Sequence, residues 1–190
     1  MARKDRRQNP PESNAAAPVK KGLEFAFLLK FLGLLTVFFL MVAPRQVNDK
    51  VVEPFTHAIA VAGGTAVSLF GEPTEMNGTA IASKRFAVNI RNGCNGLETM
   101  FIFAAAVLAF PASWKTRLLG LAVGFVAIQL INMVRIVSLF YIGIHFPKLF
   151  EQSHVVIWQA IVILFGVALW ILWAVKYALP ARSGSAEATS

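Results

Sequence analysis

Four stretches of this chain are almost free of charge: residues 22–43, 97–112, 118–144 and 154–178. Each approaches or exceeds the roughly 20 apolar residues that cross about 30 Å of hydrocarbon as an α-helix. A backbone in lipid must satisfy its own polar groups, which leaves helices or closed barrels. Continuous apolar runs, not alternating ones, select helices. The charged fraction of 15% follows from those runs, since a soluble domain carries about 25%. At 190 residues the chain is one domain long. The expected fold is an all-α polytopic membrane protein with about four transmembrane helices.

Between the spans the pattern changes. Residues 1–21 are basic, polar and Pro-containing, which predicts a disordered cytoplasmic tail; 180–190 reads as a second flexible tail. The first apolar run is longer than a signal-peptide core, and Pro44 after Ala43 opposes cleavage, so an uncleaved helix is expected. Residues 54–70 are short and interrupted by His57, Gly63, Gly64, Thr65 and Ser68. They suit an interfacial helix beginning near Pro54. Gly71 to Gly78 reads as a polar loop. Phe86, Val88 and Ile90 alternate, and residues 80–83 can pair with them as a small extracytoplasmic hairpin over 79–91. Trp158, Trp170, Trp173 and Tyr177 are candidate interface anchors.

The net charge of +8 does not point to nucleic acid. Arg3, Lys4, Arg6, Arg7, Lys20 and Lys21 precede the first span and read as an orientation signal. Charge counting does not settle whether 54–70 crosses: ten of the sixteen loop and tail Lys/Arg fall on one side either way. The small and polar interruptions favour four crossings. Both termini are then cytoplasmic, and 44–96 and 145–153 lie outside.

Cys94 is the only cysteine, in Asn92-Gly93-Cys94-Asn95-Gly96 just ahead of the 97–112 run. One cysteine makes neither an internal disulfide nor a thiolate-rich metal site, and no residue cluster suggests a metal or cofactor. It is a small filler or a nucleophile. Arg135 is the second anomaly, nine residues before Ile144 and so roughly 13 Å inside that helix end. Facing lipid it would cost about 3 kcal/mol, so it must face the bundle. Asn132, Arg135 and Ser138 share an arc of about 120°, which Gln129 widens to about 180°. Arg135 could be a buried tie to Glu98 or to backbone carbonyls, or part of a site.

His145 and His57 fit the bland reading of helix-end histidines. His154 opens the last helix, with Ser153 a candidate N-cap. Cys94, His154 and Arg135 at one membrane depth would make a nucleophilic site. A neighbouring His⁺ or Arg⁺ and a helix N-terminus lower a thiol pKa. The thiolate forms a thioester, His154 protonates the leaving amine, and Arg135 steadies the developing charge. Gly93 and Gly96 would let a peptide backbone approach closely. There is no CxxC, HExxH or GxSxG.

Cys94-Asn95-Gly96 after a short strand, Asn132-Met133-Val134-Arg135 within a span and His154 opening the next resemble the exosortase/archaeosortase family of membrane transpeptidases. Small size and a long segment between first helix and cysteine resemble its short branch, exosortase H. The family has Ala or Ser after the cysteine, where this chain has Asn95, and longer members carry additional spans. The resemblance covers about 78–178. It implies a cysteine-type transpeptidase with Cys94 as nucleophile, His154 as acid/base, Arg135 as stabiliser, and Gly96, Glu98 and Asn132 in support. It also implies an active site on the outer face of the bacterial cytoplasmic membrane. The implied partners, besides membrane lipid, are exported proteins ending in a Pro-containing motif, a membrane helix and a basic tail. The rival is a non-enzymatic membrane scaffold or transporter subunit with Arg135 as structural or substrate counter-ion.

Overall fold

The computed structural model describes residues 17–91 and 93–178. They form an all-α membrane-type bundle with a small sheet at one end. Helix α1 is Ala17–Val42, and its window Glu24–Val42 is long and apolar enough to cross a membrane. The helix thus takes in 17–21, which the sequence assigns to a disordered tail; Lys20 and Lys21 are good helix formers on an already nucleated helix. The rest of that tail, like 180–190, lies outside the described residues.

After Pro44 the chain is helical again from Arg45: α2 (Arg45–Val47), a π-helical turn (Asn48–Val52) and α3 (Glu53–Leu69). The helix therefore starts before Pro54. The wide turn falls just ahead of this proline, whose ring and missing N–H do not fit a regular α-turn. Thr56, Ala60, Gly63, Gly64 and Val67 form its buried face.

Three strands follow rather than two: β1 (Glu75–Asn77), β2 (Ala80–Ala82) and β3 (Ala87–Asn89), antiparallel in that order. The β2–β3 hairpin has the expected partners. The added strand comes from the segment read as a polar loop, paired through the Asn77-Gly78 turn, where Gly78 has φ +60°. Met76, Ile81 and Val88 stand opposite one another in the register and pack, with Phe86, into one core with Ala60, Val67, Ile136 and Phe140. A ribbon too small to stand alone is thus stabilised by α3 and α5.

Helix α4 (Leu97–Ala109) spans only about 20 Å and sits among α1, α5 and α7. Pro111 ends it by forcing Phe110 into the extended region, ψ 136°. Ser113 then caps α5 (Trp114–His145), its hydroxyl accepting from Thr116 N–H. Helix α6 (Pro147–Gln152) runs through a π-helical turn (Ser153–Ile157) into α7 (Trp158–Trp173), closed by a last π-helical turn (Ala174–Ala178). Ser153 is therefore inside a helical run and caps nothing. Windows in α5 and across 158–178 are long and apolar enough to cross a membrane.

Glycines let the helices close up, as membrane helices without a hydrophobic driving force require. The Phe103 ring lies over Gly124, Trp173 over Gly120, and Thr99 over Gly166. Trp173 is consequently buried, with its Nε1–H donated to Thr116 O at 3.1 Å, and is no interface anchor. This second core, of Phe103, Val107, Ile128 and Trp173, is distinct from the one under the sheet.

Candidate active site

The site is built at the edge of the core under the sheet, to which Cys94 itself belongs. At the exit of β3 the backbone turns sharply, Cys94 N–H bonding Arg91 O at 2.9 Å. Gly93 and Gly96 both take left-handed conformations, φ +90° and +79°. These values explain the glycines better than room for a substrate does. At Gly96 a Cβ would also come within 3.1 Å of Gln129 Nε2 and 3.4 Å of Asn132.

Asn95 fixes the turn to its neighbours. Its Oδ1 accepts from Leu97 N–H at 3.0 Å, a local turn leading into α4, and its Nδ2 donates to Thr56 Oγ1 at 2.8 Å. Thr56 Oγ1 in turn donates to Val52 O at 2.7 Å. The residue that departs from the family pattern is thus a buried brace between the cysteine turn and α3.

The polar flank of α5 reads the same turn from the other side, one residue per helical turn. Gln129 Nε2 donates to Asn95 O at 3.3 Å, Asn132 packs on Gly96, and Arg135 Nη1 donates to Gly93 O at 3.3 Å. Both side-chain polar atoms of buried Asn132 lack a hydrogen-bond partner among the described residues.

His154 arrives from the turn ahead of α7. Its Nε2 stands 2.6 Å from Cys94 Sγ, across sixty residues of sequence. The ring stacks on Phe150 with centroids 5.7 Å apart and planes 2° from parallel. Phe150 meets Phe86 edge-on, and Phe86 meets Phe140, so an aromatic row links the sheet and α5 to the imidazole. The π-helical turn matters here: Trp158 N–H bonds Ser153 O, five residues back, while His154 O accepts from Arg135 Nη2 at 3.4 Å.

Arg135 completes the arrangement. Its Nη2 is 3.8 Å from Cys94 Sγ and its Nη1 donates to Gln159 Oε1 at 3.1 Å. Gln159 Nε2 in turn donates to Glu98 Oε2 at 3.5 Å. Glu98 therefore reaches Arg135 through an amide, not by a direct ion pair. Gln159 carries no role in the sequence reading. A lone amide in an otherwise apolar window is the same kind of anomaly that singles out Arg135.

Helix α5 is about 48 Å long, well beyond the hydrocarbon thickness. Arg135 bonds Gln159, the second residue of α7, so the guanidinium is level with the start of that span. Among the ten residues after Arg135, Ile136 and Phe140 pack against the sheet and α3.

Burial raises the Cys94 thiol above its ordinary value; Arg135, a backbone hydrogen bond at Arg91 and the Arg91 charge oppose this, and Glu98 adds to it. Burial, then Arg135, lower His154, against a smaller opposite effect of Glu151. The resting pair is therefore a thiol donating to a neutral imidazole, not the pre-formed thiolate expected from position alone. Cys94 is buried, yet Gly93, Asn95 and Glu98 beside it form part of a cleft of about 300 Å³ walled by Phe39, Val42 and Phe101. The other two histidines stand apart: His57 Nδ1 pairs with Gly78 O and His145 Nδ1 with Tyr141 O.

Residues 16–174 match the family model described as transmembrane exosortase. No curated protein and no solved structure matches the chain.

Proposed function

The chain belongs to the transmembrane exosortase family, and from that premise we propose that it is a cysteine transpeptidase cleaving C-terminal sorting signals of exported proteins. The observation that carries this reading is the Cys94 Sγ to His154 Nε2 contact at 2.6 Å with the Arg135 guanidinium beside the sulfur. A nucleophile, a base within hydrogen-bond reach and a fixed cation are the parts acyl transfer needs.

Cys94 Sγ attacks the scissile carbonyl while its proton passes to His154 Nε2. The tetrahedral intermediate carries an oxyanion, and Arg135 offsets the charge on sulfur and oxygen as it develops. Collapse breaks the C–N bond. His154 gives its proton to the departing amine, leaving a Cys94 thioester. An incoming amine or water attacks that thioester, gives its proton to His154, and restores the thiol. The buried thiol is neutral at rest, so proton transfer accompanies attack. The substrate's motif would occupy the cleft beside Gly93 and Glu98, with its membrane helix in lipid and its basic tail on the cytoplasmic side. The site would face the exterior of the bacterial cytoplasmic membrane.

Arg135 also bonds two backbone carbonyls, Gly93 O and His154 O, which favours the rival reading of a structural tie in a scaffold. The two readings part on Cys94. Co-expression with an exported reporter carrying a Pro-containing motif, a membrane helix and a basic tail gives the test. Cys94→Ala and His154→Ala abolish processing, and Arg135→Ala lowers it by roughly 10²–10³-fold. Normal processing by a well-folded Cys94→Ala protein would sink the enzyme reading.

A further inference from the structure

We propose that Gln159, anchored by Glu98, is the positioning residue that aims the Arg135 guanidinium at Cys94. The inference deepens the transpeptidase reading and rests on it for the role of Arg135. A guanidinium has five N–H donors and a long, flexible stem, so its direction must be imposed. Here two backbone carbonyls, Gly93 O and His154 O, take one hydrogen from each end of the fork. Both carbonyls belong to the turns that carry the cysteine and the histidine, and both move with them. Gln159 Oε1, at 3.1 Å from Nη1, is the contact from a regular helix.

The choice of an amide has a chemical consequence. Gln159 accepts from Arg135 with its oxygen and donates to Glu98 with its nitrogen, so its two ends cannot be exchanged without breaking both bonds. A carboxylate at this place would bond Arg135 equally well but would neutralise it. With glutamine the acidic charge is held one side chain away on Glu98, and the cation stays available to the sulfur. The groups facing Cys94 are Arg135 from α5, Arg91 from the exit of β3, Glu98 from α4 and His154 from the turn before α7. Glu151 of α6 acts on His154.

The test is the pH profile of Cys94 alkylation by iodoacetamide in the full-length protein in lipid nanodiscs, alongside reporter cleavage. Gln159→Glu is isosteric and keeps an acceptor, yet places a charge on Arg135; its alkylation profile moves to higher pH by about one unit. Gln159→Leu, which releases the guanidinium, moves it the same way. Cleavage falls roughly tenfold in kcat with little change in KM in both. Glu98→Gln keeps a hydrogen-bond acceptor and removes a charge that raises the thiol, so its profile moves to lower pH. A wild-type alkylation profile in either folded Gln159 variant overturns the proposal and leaves Gln159 a strut. Alkylation reads the aim of Arg135 without any substrate. If Cys94→Ala still processes the reporter, the transpeptidase reading fails while the alkylation result still decides the positioning role.

Discussion

At Cys94, desolvation and the Arg135 cation act on one proton in opposite directions, and desolvation is the larger effect. At His154 they act together, both favouring the neutral ring. This difference has a kinetic sign. Below its lowered pKa His154 is protonated and cannot take the thiol proton, so kcat/KM falls there. That acid limb should lie below the ordinary imidazole value of about 6.5. The alkaline limb should lie above the ordinary thiol value of about 8.5. The result is a plateau between the two limbs. Arg135→Gln removes one of the two causes that lower His154, so the acid limb moves up; it removes an effect that lowers Cys94, so the alkaline limb moves up too. Profiles measured on the reporter check both directions, and an acid limb unmoved by Arg135→Gln would show that the guanidinium does not act on the ring. The three side chains that meet at the candidate site were legible from sequence because each breaks a local pattern: a thiol at a helix entrance, a charge inside an apolar run, an imidazole at a helix start. Their protonation states were not legible, because burial is set by contacts with α3, α5 and α6 that no local pattern encodes.

Among the elements, the cysteine turn depends on a brace from a distant helix. Asn95 bonds Leu97 N–H at the start of α4 and Thr56 of α3, thirty-nine residues away. Asn95→Ala loses the bond to Leu97 N–H and leaves Thr56 Oγ1 without its donor, which should cost about 1–2 kcal/mol. Thr56→Ala leaves the buried Asn95 amide without its acceptor, at a similar cost. Because the two share one bond, the double variant should be less destabilised than the sum, with a coupling of about 1 kcal/mol. Thermal unfolding of the four proteins of that cycle measures it; strict additivity would mean that the bond contributes nothing. The helices and the β2–β3 hairpin could be read from hydrophobic length and alternation. β1 could not, because Glu75, Met76 and Asn77 include a single apolar residue, and its inward position is apparent only opposite Ile81. Nor could the helical start at Arg45, since Pro54 is a strong local sign of a helix beginning and only a π-helical turn lets the helix run through it.

The bundle as a whole puts the ends that carry the site on one side: the end of α1, the start of α4, the end of α5 and the start of α7. Whether α3 crosses the membrane was undecided by charge counting. The sheet bears on it directly. Near the start of α3, Asn48, Glu53 and Thr56 line a polar cleft with Thr79, Asn89 and Arg91. Farther along, Thr74 Oγ1 donates to Gly64 O, and Met76 packs on Gly64. The sheet therefore runs beside α3 for most of its length. Its exposed Glu75, Lys84 and Arg85 cannot lie in hydrocarbon, where each charge would cost about 3 kcal/mol or more. We therefore propose that α3, flanked along its length by such a sheet, lies outside the apolar slab. In a Cys94→Ser background, single cysteines introduced by Lys50→Cys and Lys84→Cys should react with a membrane-impermeant maleimide from the same side. Lys115→Cys, between α4 and α5, should react only from the other. If α3 crossed, Lys50→Cys and Lys84→Cys would label from opposite sides. The cleft shared by Asn48 and Asn89 could then not exist as described, and access of an exported substrate to Cys94 from the outer face would fall with it.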